Sequence, residues 1–193
     1  ISKKKIKNFF LINNNHKLNY QFLKKNKIKY IFFPHWSYKI PKLIYQNFEC
    51  IVFHTGNLPK HRGGSPIQNL ILKGYKKSYV NAIKVENNID AGPIYIKKKI
   101  NLDGNLEKIF FEISKKIILM INQITSKKIK PKKQSGKISY LKRLNENQSL
   151  IGKEIKSISK FYDKIRMLDD EEYPRAHLIY NDFNLFFKNA KKN

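Results

Sequence analysis

Residues 49–74 read Glu49-Cys50-Ile51-Val52-Phe53-His54-Thr55-Gly56-Asn57-Leu58-Pro59-Lys60-His61-Arg62-Gly63-Gly64-Ser65-Pro66-Ile67-Gln68-Asn69-Leu70-Ile71-Leu72-Lys73-Gly74. Three textures follow one another. Cys50–Phe53 is an uninterrupted apolar run, the pattern of a strand covered on both faces, and it delivers His54 at its carboxyl end. Thr55–Ser65 is rich in glycine and hydrogen-bond donors and reads as a loop. Pro66 then supplies the fixed φ of a first helical turn, Ile67–Leu72 continues as an apolar helix, and Gly74 stops it. Open α/β sheets gather ligands beyond the carboxyl ends of their strands, and a helix N-terminus favours an anionic group. This stretch therefore sets both the fold class and the place to look for chemistry.

Upstream, Asn8–Ile12 is expected to form a short buried strand, followed by a polar loop, Asn13–His16, and a helix over Leu18–Lys25. Tyr30–Phe33 reads as a strand ended by Pro34, and Pro41–Gln46 as a helix or turn. Downstream, Tyr79–Val85 and Pro93–Ile100 read as strands flanking the loop Glu86–Gly92. The clearest helix runs from Asn105 to about Ser126. Leu106, Ile109, Phe110, Ile113, Ile117, Met120, Ile121 and Ile124 recur at three- and four-residue spacings and form one apolar stripe that packs on the sheet. Strands alternating with helices predict an α/β fold with a mainly parallel sheet.

Composition shifts at Lys127–Gly136, where Lys, Pro, Gln and Ser dominate, and this segment reads as a linker. Beyond it Leu150–Met167 is expected as an amphipathic helix with Ile155, Ile158, Phe161 or Tyr162, and Ile165 inward. His177–Tyr180 and Phe183–Phe187 flank Asn181-Asp182, a two-residue hairpin turn signal. The organisation implied is a catalytic domain over 1–126, a linker over 127–136 and a small α+β subdomain over 137–193. The first residue is Ile1 and a strand follows closely, so a first strand is expected to be lacking from the domain.

The chain has 193 residues, 41% hydrophobic and 13% aromatic, enough for a sizeable core, and a formal charge of +26. The charge invites a nucleic-acid reading. It is almost all lysine, however; Arg62, Arg143, Arg166 and Arg175 are the arginines, and arginine is the preferred residue for bidentate phosphate and base contacts. Lys, Asn, Ile, Phe and Tyr are abundant while Ala, Gly and Arg are sparse, a pattern of AT-rich coding that leaves most of the charge as solvated surface. Cys50, within an apolar run, is expected to be a buried structural thiol, and one cysteine makes no disulfide framework. No stretch approaches the ~20 apolar residues of a membrane span. No metal-ligand cluster is expected, and a cytoplasmic protein fits best.

Asp90 lies at the end of the loop after Tyr79–Val85, just before Ala91-Gly92-Pro93. A carboxylate beside His54 favours the protonated imidazole, which can stabilise a developing oxyanion, and the same carboxylate can accept a proton from an attacking amine. The pattern His54-x-x-x-Leu58-Pro59-x-x-Arg62-Gly63-x-x-Pro66-Ile67-Gln68, followed by Ile89-Asp90-Ala91-Gly92-Pro93-Ile94, resembles the formyltransferase family. The likeness covers about Tyr30 to Ser126 well; the tail, with Gln134-x-Gly136, Lys164-Ile165-Arg166 and Tyr173-Pro174, is more distantly similar.

The resemblance implies a Rossmann-like sheet and transfer of a formyl group from 10-formyltetrahydrofolate to an amine, a reaction of one-carbon metabolism. His54 and Asp90 match the catalytic pair. Pro34, His35, Trp36 and Ser37, with Lys84, Val85, Glu86, Asn87, Asn88 and Ile89, match the folate pocket, and Trp36 offers a flat face to a ring. Arg62, Gly63, Gly64 and Ser65 would meet the acceptor's phosphates or sugar, with His61 exposed beside them. The family usually carries an Asn two residues before the catalytic His, where this chain has Val52. Losing that donor costs about 3–4 kcal/mol unless another replaces it, and Asn57, Ser37 and Asn81 are the candidates, Asn57 first. An amino-sugar nucleotide is the expected acceptor, because only about sixty residues follow the linker. A tRNA-borne methionine is the alternative, and a non-catalytic Lys-rich binding module on the same fold is another.

Overall fold

In the computed structural model, residues 9–13, 18–36 and 38–192 are described. A four-stranded sheet has the order β1 (Tyr30–Phe33), β2 (Glu49–His54), β4 (Lys77–Lys84), β5 (Ile94–Asn101). A short parallel pair joins β3 (Arg62–Gly63) to β6 (Tyr140–Leu141), and a hairpin pairs β7 (Ala176–Tyr180) with β8 (Phe183–Phe187). The helices are α1 (Tyr20–Lys25), α2 (Lys42–Asn47), α3 (Pro66–Leu72), α4 (Leu106–Lys127) and α5 (Ile158–Arg166).

The α/β class and the apolar strands are those the sequence implies. The sheet is mixed: β1 and β2 pair in parallel, across a connection that carries α2, while β2–β4 and β4–β5 are antiparallel. The loop between β4 and β5 is too short for the dozen or more residues of a parallel crossover, so those two strands fold back on each other.

Period-two alternation covers the sheet on both sides. Phe32, Ile51, Phe53, Val80, Ala82 and Ile100 join the main core with α3 and α4, whereas Ile31, Phe33, Cys50 and Val52 face a second cluster with Leu23 of α1 and Ile44 of α2. The α4 stripe lies inward as expected, and the Asn105 side chain caps the helix by accepting Lys108 N–H at 3.1 Å. Asn19 caps α1 in the same way, accepting from Gln21 and Phe22, so that helix starts at Tyr20 rather than Leu18.

Several expectations are corrected. Residues 9–12 of the expected first strand, Asn8–Ile12, form no strand, and Phe9 and Leu11 are exposed; Asn8 lies outside the described residues, as do Asn14 to His16 of the next loop and Ser37. The helix expected over Leu150–Met167 is confined to Ile158–Arg166, because Ser157 caps it there, and Ile158, expected inward, is 84% exposed. Residues 127–136 are more than a linker. Lys132 and Ile94 exchange backbone hydrogen bonds at 2.9 and 2.7 Å, which straps the segment to the start of β5. Nor does the C-terminal part hold a core of its own: Ile151, Ile165, Met167, Leu168 and Ala176 belong to the cluster that contains Ile51 and Val80.

The C-terminal part is also held by Arg166, which is 3% exposed. Its guanidinium binds the Asp163 carboxylate at 2.6 Å and donates to the carbonyls of Leu102 and Gly104. No helix among the described residues is long and apolar enough to cross a membrane.

Candidate functional site

His54 ends β2, on the same side of the strand as Cys50 and Val52, and is 7% exposed. Its Nδ1 lies 3.2 Å from Asp90 Oδ2, and its Nε2 lies 2.7 Å from the backbone oxygen of His61. Both neighbours accept only, so the ring satisfies both when both nitrogens carry protons. Asp90 Oδ2 also accepts the Gly63 N–H at 2.9 Å. Among the described residues Oδ1 has no hydrogen-bond partner, and the Asp90 side chain is 16% exposed. The expected pair is thus assembled, with one carboxylate oxygen fixed and the other open.

The local fold explains the placement. Gly56 lets the loop double back on His54: a Cβ there would sit 2.5 Å from the His61 oxygen and 2.6 Å from His54 Nε2. Asn81, opposite His54 in the β2–β4 register and fully buried, donates its amide to the carbonyls of His54 (3.0 Å) and Gly56 (2.6 Å). Asp90 adopts a left-handed backbone with φ 52°, which Asp tolerates better than most residues. Gly92 follows where any Cβ would overlap the Lys84 carbonyl oxygen, so the return into β5 requires glycine. Burial pushes His61 down from the ordinary histidine value, and Lys73, Lys60 and His54 push it the same way.

The other expected residues separate into groups. Trp36 packs on Phe33 (5.3 Å between ring centroids) and, with Val52 and Val85, borders the second apolar cluster. Its indole Nε1 is buried without an acceptor among the described residues. Lys84 pairs with Glu49, which also takes the Tyr95 hydroxyl, and Glu86, Asn87, Asn88 and Ile89 are exposed. Pro34 and His35 turn elsewhere. His35 faces Phe110 and Glu172 and helps line a cavity of about 760 Å³ between α4 and residues 168–175. Ser37, expected in the folate pocket, lies outside the described residues.

Asn57 does not reach His54 in this arrangement: its Oδ1 takes the Lys97 ammonium at 2.6 Å, because β5 runs beneath the loop and presents Lys97 there. Arg62 is corrected more sharply. It is 7% exposed, and its Nε and Nη2 donate to Gln134 Oε1 at 3.3 and 2.8 Å, so the guanidinium points inward rather than toward an acceptor. Gly63 binds Asp90, a Cβ at Gly64 would collide with Arg143, and the Ser65 hydroxyl accepts from Leu144 N–H. The loop is therefore occupied with holding the site together.

Two site residues were not singled out in this role by sequence. Gln134 donates Nε2 to the carbonyls of Asp90 and Gly92, both at 2.8 Å, from a polar segment with no periodicity to mark it. Asn81 carried a weak signal, an amide between the apolar residues Val80 and Ala82, which a buried position makes costly unless it is bonded.

The chain matches two family models: "Formyl transferase" over residues 7–109 and "Methionyl-tRNA formyltransferase, C-terminal domain" over residues 146–193. The methionyl-tRNA formyltransferase of Thermotoga maritima is 30% identical over 143 residues, 71% of this chain and 46% of that protein. The chain spans about half the length of the curated relatives it matches. The structure of methionyl-tRNA formyltransferase from Clostridium thermocellum superposes with a TM-score of 0.90 at 44% identity, covering 94% of this chain and 80% of that one. A 4-N formyltransferase from Francisella tularensis shares the fold, with a TM-score of 0.71 at 19% identity over 86% of this chain and 72% of its own. On the family match across more than half its length, and on the close structural likeness, the chain belongs to the formyl transferase family.

Proposed function

We infer that this chain transfers a formyl group from 10-formyltetrahydrofolate to the amino group of a methionine esterified to tRNA. The observation that carries the reading is the His54–Asp90 pair, in which His54 is buried at 7% and Asp90 keeps 16% of its side chain exposed. The amine nitrogen attacks the formyl carbon, the carbon–N10 bond breaks, and the products are the N-formyl amine and tetrahydrofolate. Asp90 Oδ1 is available to the proton the amine loses, directly or through water. The His54 Nε2–H, now on the His61 carbonyl, is the donor for the developing oxyanion, and must share or leave that carbonyl to serve. Val52 offers no donor, so the oxyanion depends on His54.

The donor fits residues already placed. Trp36, Val52 and Val85 make an apolar wall on the His54 side of the sheet, the indole Nε1–H lacks an acceptor among the described residues, and Glu86–Ile89 form an exposed loop. A flat, acceptor-rich pterin suits that combination. The tRNA acceptor is favoured over the amino-sugar nucleotide by the match of residues 146–193 to the C-terminal domain of methionyl-tRNA formyltransferase. The likeness to sugar enzymes carries the fold alone.

Calorimetric titration with 5-formyltetrahydrofolate, followed by transfer assays with methionyl-tRNA and with amino-sugar nucleotides, tests the proposal. His54→Ala and Asp90→Asn should each lower turnover by roughly 10²–10⁴-fold in a folded protein. Turnover on the sugar nucleotide alone would move the acceptor back to the sequence expectation. Absence of folate binding, with RNA affinity that falls steeply as salt rises, would favour the binding-module alternative.

A further inference from the structure

We propose that Gln134 is a positioning residue for Asp90, held in place by Arg62, so that the segment 128–136 sets the geometry of the proton acceptor. The inference rests on the reading above that Asp90 serves the reaction, and goes beyond it in assigning two further residues.

Five residues form one hydrogen-bonded network. The Arg62 guanidinium grips Gln134 Oε1; Gln134 Nε2 grips the carbonyls of both Asp90 and Gly92; and Gly63, the residue after Arg62, grips the Asp90 carboxylate through its N–H. Every polar atom of the Gln134 amide is engaged, and the two carbonyls it holds, those of Asp90 and Gly92, lie on the C-terminal side of the left-handed residue Asp90. A single-residue αL conformation outside glycine persists when its surroundings over-determine it. Here one side chain fixes the chain as it leaves Asp90, by holding the Asp90 and Gly92 carbonyls together, while Gly63 fixes the carboxylate. Asp90 thereby loses freedom at its backbone, through Gln134, and at its carboxylate, through Gly63, and Oδ1 is left as the free oxygen. Arg62 is buried without a carboxylate partner among the described residues, and Gln134 is the side chain it binds there. Its role is to fix which way the Gln134 amide faces, since only Oε1 can accept from a guanidinium and only Nε2 can donate to two carbonyls.

Gln134→Glu separates positioning from bulk stability, because it keeps the shape and strengthens the bond to Arg62 while removing the donor to both carbonyls. The intact protein, Gln134→Glu, Gln134→Leu and the double variant Arg62→Leu/Gln134→Leu should be compared in formyl transfer and by proton NMR of the His54 Nδ1–H. Positioning predicts that kcat falls about 10- to 100-fold in both single variants, with KM for the folate within about twofold, as a displacement near 1 Å does at a reacting group. The double variant should be no slower than Gln134→Leu, because Arg62 acts through Gln134. The downfield Nδ1–H resonance, a signature of the bond to Asp90, should broaden or vanish in Gln134→Glu. A Gln134→Glu protein with unchanged kcat and an unchanged resonance would overturn the proposal, as would equal losses in kcat and folate affinity that follow the melting temperature. If the unaltered protein transfers no formyl group, the functional reading fails, and the resonance still decides whether Gln134 holds Asp90 against His54.

Discussion

Gly56→Ala tests whether the closeness of the loop to His54 is the source of the site's geometry. A Cβ at this position would lie 2.6 Å from His54 Nε2 and 2.5 Å from the His61 oxygen. Ordinary van der Waals contact begins near 3.4 Å, so each neighbour must yield by about 0.8 Å. The atoms concerned are a ring nitrogen and a backbone carbonyl, joined by a 2.7 Å hydrogen bond, and neither is the far end of a flexible chain. Over-packing of this kind costs about 1–3 kcal/mol, offset by about 0.4–1 kcal/mol from the stiffer unfolded chain. The net effect is a loss near 1–2 kcal/mol, with turnover down about 100-fold because the imidazole is displaced by nearly 1 Å. Gly74→Ala is the matched control. Its φ is 77° and nothing lies within 4 Å of the added carbon, so it should cost about 1–2 kcal/mol of backbone strain and leave turnover intact. Denaturant unfolding and steady-state formyl transfer, run on both variants, separate the two effects. Wild-type turnover in Gly56→Ala, or equal turnover losses in the two variants, would refute the reasoning.

Two further predictions concern the scaffold. Arg166→Ala strands the buried Asp163 carboxylate and the carbonyls of Leu102 and Gly104, so urea unfolding should show a loss of about 3–5 kcal/mol. Burial, aided by Glu49, pushes the Cys50 thiol up from 9.0 to about 12. Because the folded state holds that proton where the unfolded chain releases it, stability should fall as pH rises from about 9 toward 12, by up to ~1.4 kcal/mol per unit. Cys50→Ala should make that alkaline slope shallower, the remainder belonging to groups such as Tyr173, whose hydroxyl is likewise pushed up by burial, and an unchanged slope would refute the assignment.

The features the sequence made legible are those governed by near neighbours. Apolar runs marked Tyr30–Phe33 and the strand leading to His54; Pro66 and Gly74 marked the ends of α3; the 3.6-residue stripe marked α4; and Asn181-Asp182 marked the hairpin. His54 and Asp90 were legible because a strand end and a tight turn each leave a local signature. What escaped were roles decided by distant partners. Arg62 in a glycine-rich loop looks like a ligand's anion site until Gln134 arrives beside it. Asn57 looks like a free amide until β5 presents Lys97. His35 adjoins Trp36 in sequence, yet it faces Phe110 on α4. The end of the helix expected from Leu150 was misjudged for a related reason: apolar residues at 150, 151 and 155 fit a helical period, but Leu150 and Ile151 are held by the chain near His177.

The strap at residues 132–134 carries a consequence for how the molecule is assembled in time. Its bonds close over large separations, 72 residues between Arg62 and Gln134 and 44 between Gln134 and Asp90, whereas the β4–β5 hairpin and α4 form from near neighbours. Contacts of that span come late in folding, since the intervening chain must first be ordered. The order of events is then scaffold first and reactive geometry last. Transient openings of the native protein should release the strap before the sheet, so that amide exchange near Asp90 is fast in a molecule whose β4 remains protected.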